Sequence, residues 1–146
     1  MKPSRHIIAS VCVGGAITFF TKSIYAGIIC FASGVLVDFD HIIEYVIHHR
    51  WKNLSLKNVY HMSERTCAGD NNRGFKKLYL LFHSGEIAIL LWILTVCTRN
   101  IYVLAVAAGY SLHILLDCMG NPMQNIGYFM FWRAMNKFDT EKLFKG

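Results

Sequence analysis

Four apolar runs, separated by short polar breaks, dominate the pattern of the chain. They cover residues 7–20, 24–37, 78–97 and 101–119. Each predicts an α-helix. Crossing a bilayer takes ~20 mostly apolar residues, and the third and fourth runs meet that length. The first two are short and are separated only by Thr21-Lys22-Ser23. They either cross with the help of their polar flanks or form a shallow helical hairpin. Small residues recur in both, at Gly14, Gly15, Ala16, Gly27, Ala32 and Gly34, as expected where membrane helices approach closely. The expected fold class is all-α: an integral membrane four-helix bundle over residues 1–121, with a polar loop at 48–77.

Asn121-Pro122 is a turn signal, and residues 122–146 change character after it. Tyr128, Phe129, Phe131, Trp132 and Phe138 are interspersed with Arg133, Lys137, Lys142 and Lys145. That mixture predicts an amphipathic C-terminal helix lying in the membrane interface. The opening MKPSRH before an apolar run has the look of a signal peptide. Thr21-Lys22 is a poor cleavage site and a second apolar run follows at once, so the first segment is expected to be retained.

Composition supports this reading. The chain is 54% hydrophobic and 16% charged, where a soluble domain carries about a quarter charged residues. The net charge is +6, but the basic residues sit between apolar runs and form no single stripe. The expected anionic neighbour is therefore membrane lipid and not nucleic acid. Cys12, Cys30, Cys67, Cys97 and Cys118 form no CxxC pair and give no disulfide framework.

Basic residues also set the expected topology. Lys2 and Arg5 precede the first run, seven Lys/Arg lie between the second and third, and four follow the fourth; the two short loops carry only Lys22 and Arg99. Both termini and the 48–77 loop are thus expected in the cytoplasm. The expected location is the bacterial inner (plasma) membrane.

On that topology the acid and imidazole groups fall at one depth. His6 opens the first helix, Asp38, Asp40 and His41 close the second, His83 and Glu86 lie near the start of the third, and His113 and Asp117 lie near the end of the fourth. His113 and Asp117 are four apart and share a helix face; His83 and Glu86, three apart, are expected to do the same. Asp38 and His41 share a face, whereas Asp40 points elsewhere unless the helix breaks after Asp38. Glu44, His48, His49 and His61 read as solvated. Each ionisable group at such depth costs ~2.5–3.5 kcal/mol, and converging carboxylates repel. One to three divalent cations resolve that conflict. Mixed nitrogen and oxygen donors favour zinc first, then manganese or iron.

The order of these residues resembles the YdjM-like membrane-bound metal-dependent hydrolases. The likeness rests on His6, on the run Gly34-Val-Leu-Val-Asp38-Phe-Asp40-His41, on His83-Ser84, and on His113-Ile-Leu-Leu-Asp117. It departs from the family before the third helix, where many members carry R-G-x-T-H-S and this chain has Leu80-Leu81-Phe82-His83-Ser84. Arg73 or Lys76 is the expected substitute for the missing basic residue. The ligand order is also distantly similar to the zinc-dependent phospholipase C and single-strand nuclease superfamily, which implies phosphoester chemistry.

The expected function is therefore a membrane-bound metal-dependent hydrolase acting on a lipid-linked phosphoester or ester. His6, Asp38, His41, His83, His113 and Asp117 are the expected ligands. Glu86, or else Asp40, is the expected base that activates water. A metal carrier and a non-catalytic membrane partner with a structural metal are the competing readings. The sequence leaves the oligomeric state open.

Overall fold

In the computed structural model the described residues are 3–67, 74–121 and 123–144. They form α1 (Pro3–Thr21), α2 (Ile24–Leu36), α3 (Asp40–His49), α4 (Leu56–Cys67), α5 (Gly85–Thr98), α6 (Ile101–Gly120), α7 (Met130–Met135) and α8 (Thr140–Leu143). Short 3-10 turns occupy Val37–Phe39 and Asn125–Tyr128. Among the described residues, β structure is limited to two isolated bridges, Lys77 with Asp139 and Met123 with Phe144. The all-α expectation holds.

Three helical runs are long and apolar enough to cross a membrane: Ser4–Thr21, Ile24–His49 and Ile101–Gly120. α5 is apolar but has only 14 residues, or about 21 Å at 1.5 Å per residue, short of the ~30 Å hydrocarbon core. The expected third helix was to begin at residue 78. It begins at Gly85 because the preceding backbone is held in another conformation. Leu80 lies in the left-handed region (φ 40°). The Glu44 carboxylate accepts from the amides of Tyr79 (3.1 Å) and Leu80 (3.0 Å). Asp40 accepts from those of Phe82 (2.6 Å) and His83 (3.1 Å). Backbone donors satisfied by charged side chains have no need of a helix.

The chain divides into two compact units: Met1–Val37 with Gly85–Gly120, and Asp38–Ser84 with Asn121–Gly146. The C-terminal segment groups with the middle of the chain. Pro122 of the turn signal lies outside the described residues.

In the first unit α1 packs on α2, and α6 packs on α1, α2 and α5. Lys22 (φ 54°) turns the chain after α1, and the Ser23 hydroxyl caps α2 by accepting from the Ala26 amide at 3.3 Å. Asn100 does the same for α6, accepting from Tyr102 at 2.8 Å. The interior is built of small side chains, with Ala26, Cys30 and Ala105 fully buried. Gly109 permits a close backbone approach: a methyl there would collide with the Cys30 carbonyl and the Ser33 hydroxyl. Large apolar side chains such as Ile8, Phe20, Leu36 and Val96 point outward. This inversion of the soluble pattern suits a lipid solvent, where close backbone contact replaces hydrophobic burial as the packing force.

In the second unit the tail is folded rather than one continuous amphipathic helix. The Leu78 amide donates to the Phe138 carbonyl at 2.9 Å, and the Thr140 amide donates to the Lys76 carbonyl at 3.3 Å. Leu143, Tyr128 and Arg133 are among its most buried side chains.

Candidate metal centre

Each unit carries its own group of imidazole and carboxylate side chains. In the first unit the group is His6, His113 and Asp117, with 3%, 1% and 4% exposure. His6 comes from the first turns of α1. His113 and Asp117 share a face of α6, as their spacing predicts. Asp117 is flanked by both imidazoles, His6 Nε2 standing 3.2 Å from Oδ1 and His113 Nε2 standing 3.5 Å from Oδ2. The two rings stack at 4.2 Å between centroids. The three ligand atoms lie within 4.8 Å of one another.

His113 Nδ1 lies 2.7 Å from the Gly34 carbonyl. A carbonyl only accepts, so Nδ1 carries a proton and Nε2 is the nitrogen that faces Asp117. This backbone contact fixes ring and tautomer, as outer partners of metal-binding histidines commonly do. Glycine leaves room for it: a Cβ at residue 34 would stand 2.5 Å from Ser10 Oγ and 3.1 Å from the Gly109 carbonyl.

One ligand atom from each residue lies close enough to the other two for the set to hold a metal ion, although the two short contacts use different oxygens of Asp117. Two imidazoles with one carboxylate also leave coordination positions open, as catalytic zinc sites and mononuclear iron sites do; structural zinc sites are closed by four protein ligands.

In the second unit the group is Asp38, Asp40, His41 and His83. The 3-10 turn Val37–Phe39 interrupts the helix, and Asp40 turns inward to 1% exposure while Asp38 stays partly exposed. His83 is buried with Nδ1 3.2 Å from Asp40 Oδ2. Its Nε2 lies 4.0 Å from Asp38 Oδ1, and His41 Nε2 lies 3.6 Å from the same oxygen. Asp40 Oδ2 accepts from two backbone amides and lies against the His83 ring, while its Oδ1 is buried without a hydrogen-bond partner among the described residues. His83 also differs from expectation in lying before α5, so it shares no helical face with Glu86. Glu86 sits in the first turn of α5 and is partly buried.

Two residues of the second unit escaped the sequence reading. Glu44, expected in solvent, is 1% exposed and holds Tyr79 and Leu80; His48 Nε2 lies 3.1 Å from it. The Asp40-Glu44-His48 spacing of four, one face of a helix, was the available signal. Arg133, assigned to an interfacial tail, is wholly buried, and its Nη2 donates to the His83 carbonyl at 2.9 Å. No local pattern marks it. Of the two expected basic substitutes, Arg73 lies outside the described residues and Lys76 is exposed. Comparison with protein-family models, curated proteins and solved structures finds no match to this chain.

Proposed function

We propose that the chain is an integral membrane hydrolase that depends on a divalent metal and acts on a lipid-linked phosphoester or ester. The observation that carries the reading is the buried His6, His113 and Asp117 set, three protein donors with positions left over for water and substrate. Zinc suits the set first, then manganese or iron. When bound, such a cation supplies Lewis acidity toward a phosphoryl or acyl oxygen and toward water.

The chain's own residues supply the rest. Gly34 holds His113 in the tautomer that presents Nε2. Glu86 takes the proton from the attacking water, and Asp40 orients His83 through Nδ1. The motif resemblance supports hydrolysis, and the likeness to zinc-dependent phospholipases supports a phosphoester substrate. Both termini and the 48–77 segment lie in the cytoplasm, on the basic-residue asymmetry. α5 completes a fourth crossing by local bilayer thinning, which short helices impose at modest cost.

Elemental analysis of gently purified protein tests the proposal. A transition metal should copurify, and His113→Ala and Asp117→Asn should each deplete it. Wild-type protein that neither retains nor takes up zinc, manganese or iron would sink the reading. Metal-loaded protein that turns over no ester or phosphoester in a broad lipid screen would remove the hydrolase and keep the metal.

A further inference from the structure

The turn between α3 and α4 displays apolar side chains in a segment whose composition is otherwise polar and basic. Trp51 is 70% exposed and Leu56 77%, with Leu54 also exposed. Arg50, Lys52 and Lys57 alternate with them, and residues 50–60 contain no acidic residue. An exposed tryptophan on a loop is common enough by itself. This one is held in place by the backbone. Arg50, Trp51 and Asn53 all occupy the left-handed region, with φ of 48°, 65° and 52°, a conformation that non-glycine residues adopt only where surrounding contacts impose it.

Those contacts come from within the same unit. The buried Tyr45 hydroxyl donates to the carbonyls of Lys52 (3.2 Å) and Asn53 (3.3 Å). The Asn58 side-chain amide donates to the Asn53 carbonyl at 2.7 Å. The Ser55 hydroxyl accepts from the Asn58 amide at 3.2 Å. A strained turn so fixed, presenting an indole and two leucines outward, is a preorganised binding element rather than a slack loop.

We propose that this turn, Arg50 to Lys57, is a wedge that seats in an anionic bilayer surface. Trp51, Leu54 and Leu56 enter the boundary between headgroups and acyl chains, and Arg50, Lys52 and Lys57 pair with lipid phosphates. Three observations select lipid as the occupant. Apolar tips ringed by cations and without acids match anionic headgroups in charge. Tryptophan favours that boundary, with an apolar ring and a polar N–H. The helical run Ile24–His49, long and apolar enough to cross a membrane, ends one residue before the turn begins. The inference stands independently of the metal reading.

The test uses the full chain in nanodiscs, with Trp92→Phe and Trp132→Phe leaving Trp51 as the sole tryptophan. In phosphatidylglycerol-containing discs its emission should shift to the blue and be quenched by lipids brominated near the headgroup, more than by lipids brominated near the chain end, as for a depth of about 5–10 Å. Lys52→Glu with Lys57→Glu should weaken the seating by about five-fold per lost charge. If the sole-tryptophan chain does not fold, the same profile is read as the difference between wild type and Trp51→Phe. Emission typical of water with no quenching overturns the proposal. A blue shift without lipid quenching also overturns it, since a second copy or another protein then covers the turn. Equal quenching in pure phosphatidylcholine overturns the role of the cations.

Discussion

Gly109→Ala puts the link between helix packing and metal chemistry at risk. The added methyl meets the backbone carbonyl of Cys30, which has no rotamer to retreat to, and the Ser33 hydroxyl, which donates to that same carbonyl at 3.0 Å. Overpacking a close contact costs ~1–3 kcal/mol. Alanine returns up to ~1 kcal/mol of helix propensity over glycine. With a rigid obstacle the cost sits at the upper end, so a net loss of about 2 kcal/mol is expected. The second effect is chemical. Relieving the clash moves α2 away from α6 and lengthens the 2.7 Å contact between Gly34 and His113 Nδ1. Losing such an outer partner typically costs ~10–100-fold in metal affinity. Gly15→Ala is the matched control, because a methyl there meets nothing within 4 Å, and it should be neutral or slightly stabilising. Unfolding in mixed micelles by rising sodium dodecyl sulfate reads the first effect, and competition with a chelating dye reads the second. If Gly109→Ala unfolds with Gly15→Ala and binds zinc as wild type does, close approach of α2 and α6 does not hold the site.

Glu44→Gln removes the charged acceptor of two amides, each such bond being worth ~1.5–3 kcal/mol; hydrogen exchange at Tyr79 and Leu80 should quicken about ten-fold or more, and unchanged protection would deny Glu44 its anchoring role. Glu86→Gln should keep most of the bound metal while lowering hydrolysis of a lipid phosphoester by ~10²–10⁴-fold; unaltered turnover would move the base elsewhere. Single cysteines replacing Lys22 and Arg99 in a cysteine-free chain should react with an impermeant thiol reagent added outside the cell, and one replacing Lys57 should not; outside labelling at residue 57 would reverse the topology.

What could be read from the sequence followed the range of the interactions involved. α1, α2 and α6 are legible because lipid compatibility is a property of each run by itself. His113 and Asp117 are legible because a spacing of four on a helix brings side chains to one face. The start of α5 is not legible because the residues that deny Leu78–Ser84 a helix, Asp40 and Glu44, lie about 40 positions earlier. Hydropathy alone sees only an apolar run. The amides of Tyr79 and Leu80 that Glu44 accepts from explain its burial in a segment that reads as polar. Arg133 is the hardest case: a lone arginine among aromatic residues reads as interfacial, and only the fold brings it to the His83 carbonyl.

The second unit is assembled from two stretches of chain, Asp38–Ser84 and Asn121–Gly146, with α5 and α6 synthesised between them. At a translation rate of ~5–20 residues per second, roughly 2–10 s separate the appearance of His83 from that of Arg133. During that interval the Lys76 and His83 carbonyls and the Leu78 amide lack the partners they hold in the finished protein, Thr140, Arg133 and Phe138. Biogenesis is thereby ordered. The segment bearing Asp38, Asp40, His41 and His83 is completed only after the α5–α6 hairpin has been made, so truncation before residue 133 leaves that segment without its closing contacts, although every one of those four side chains is present.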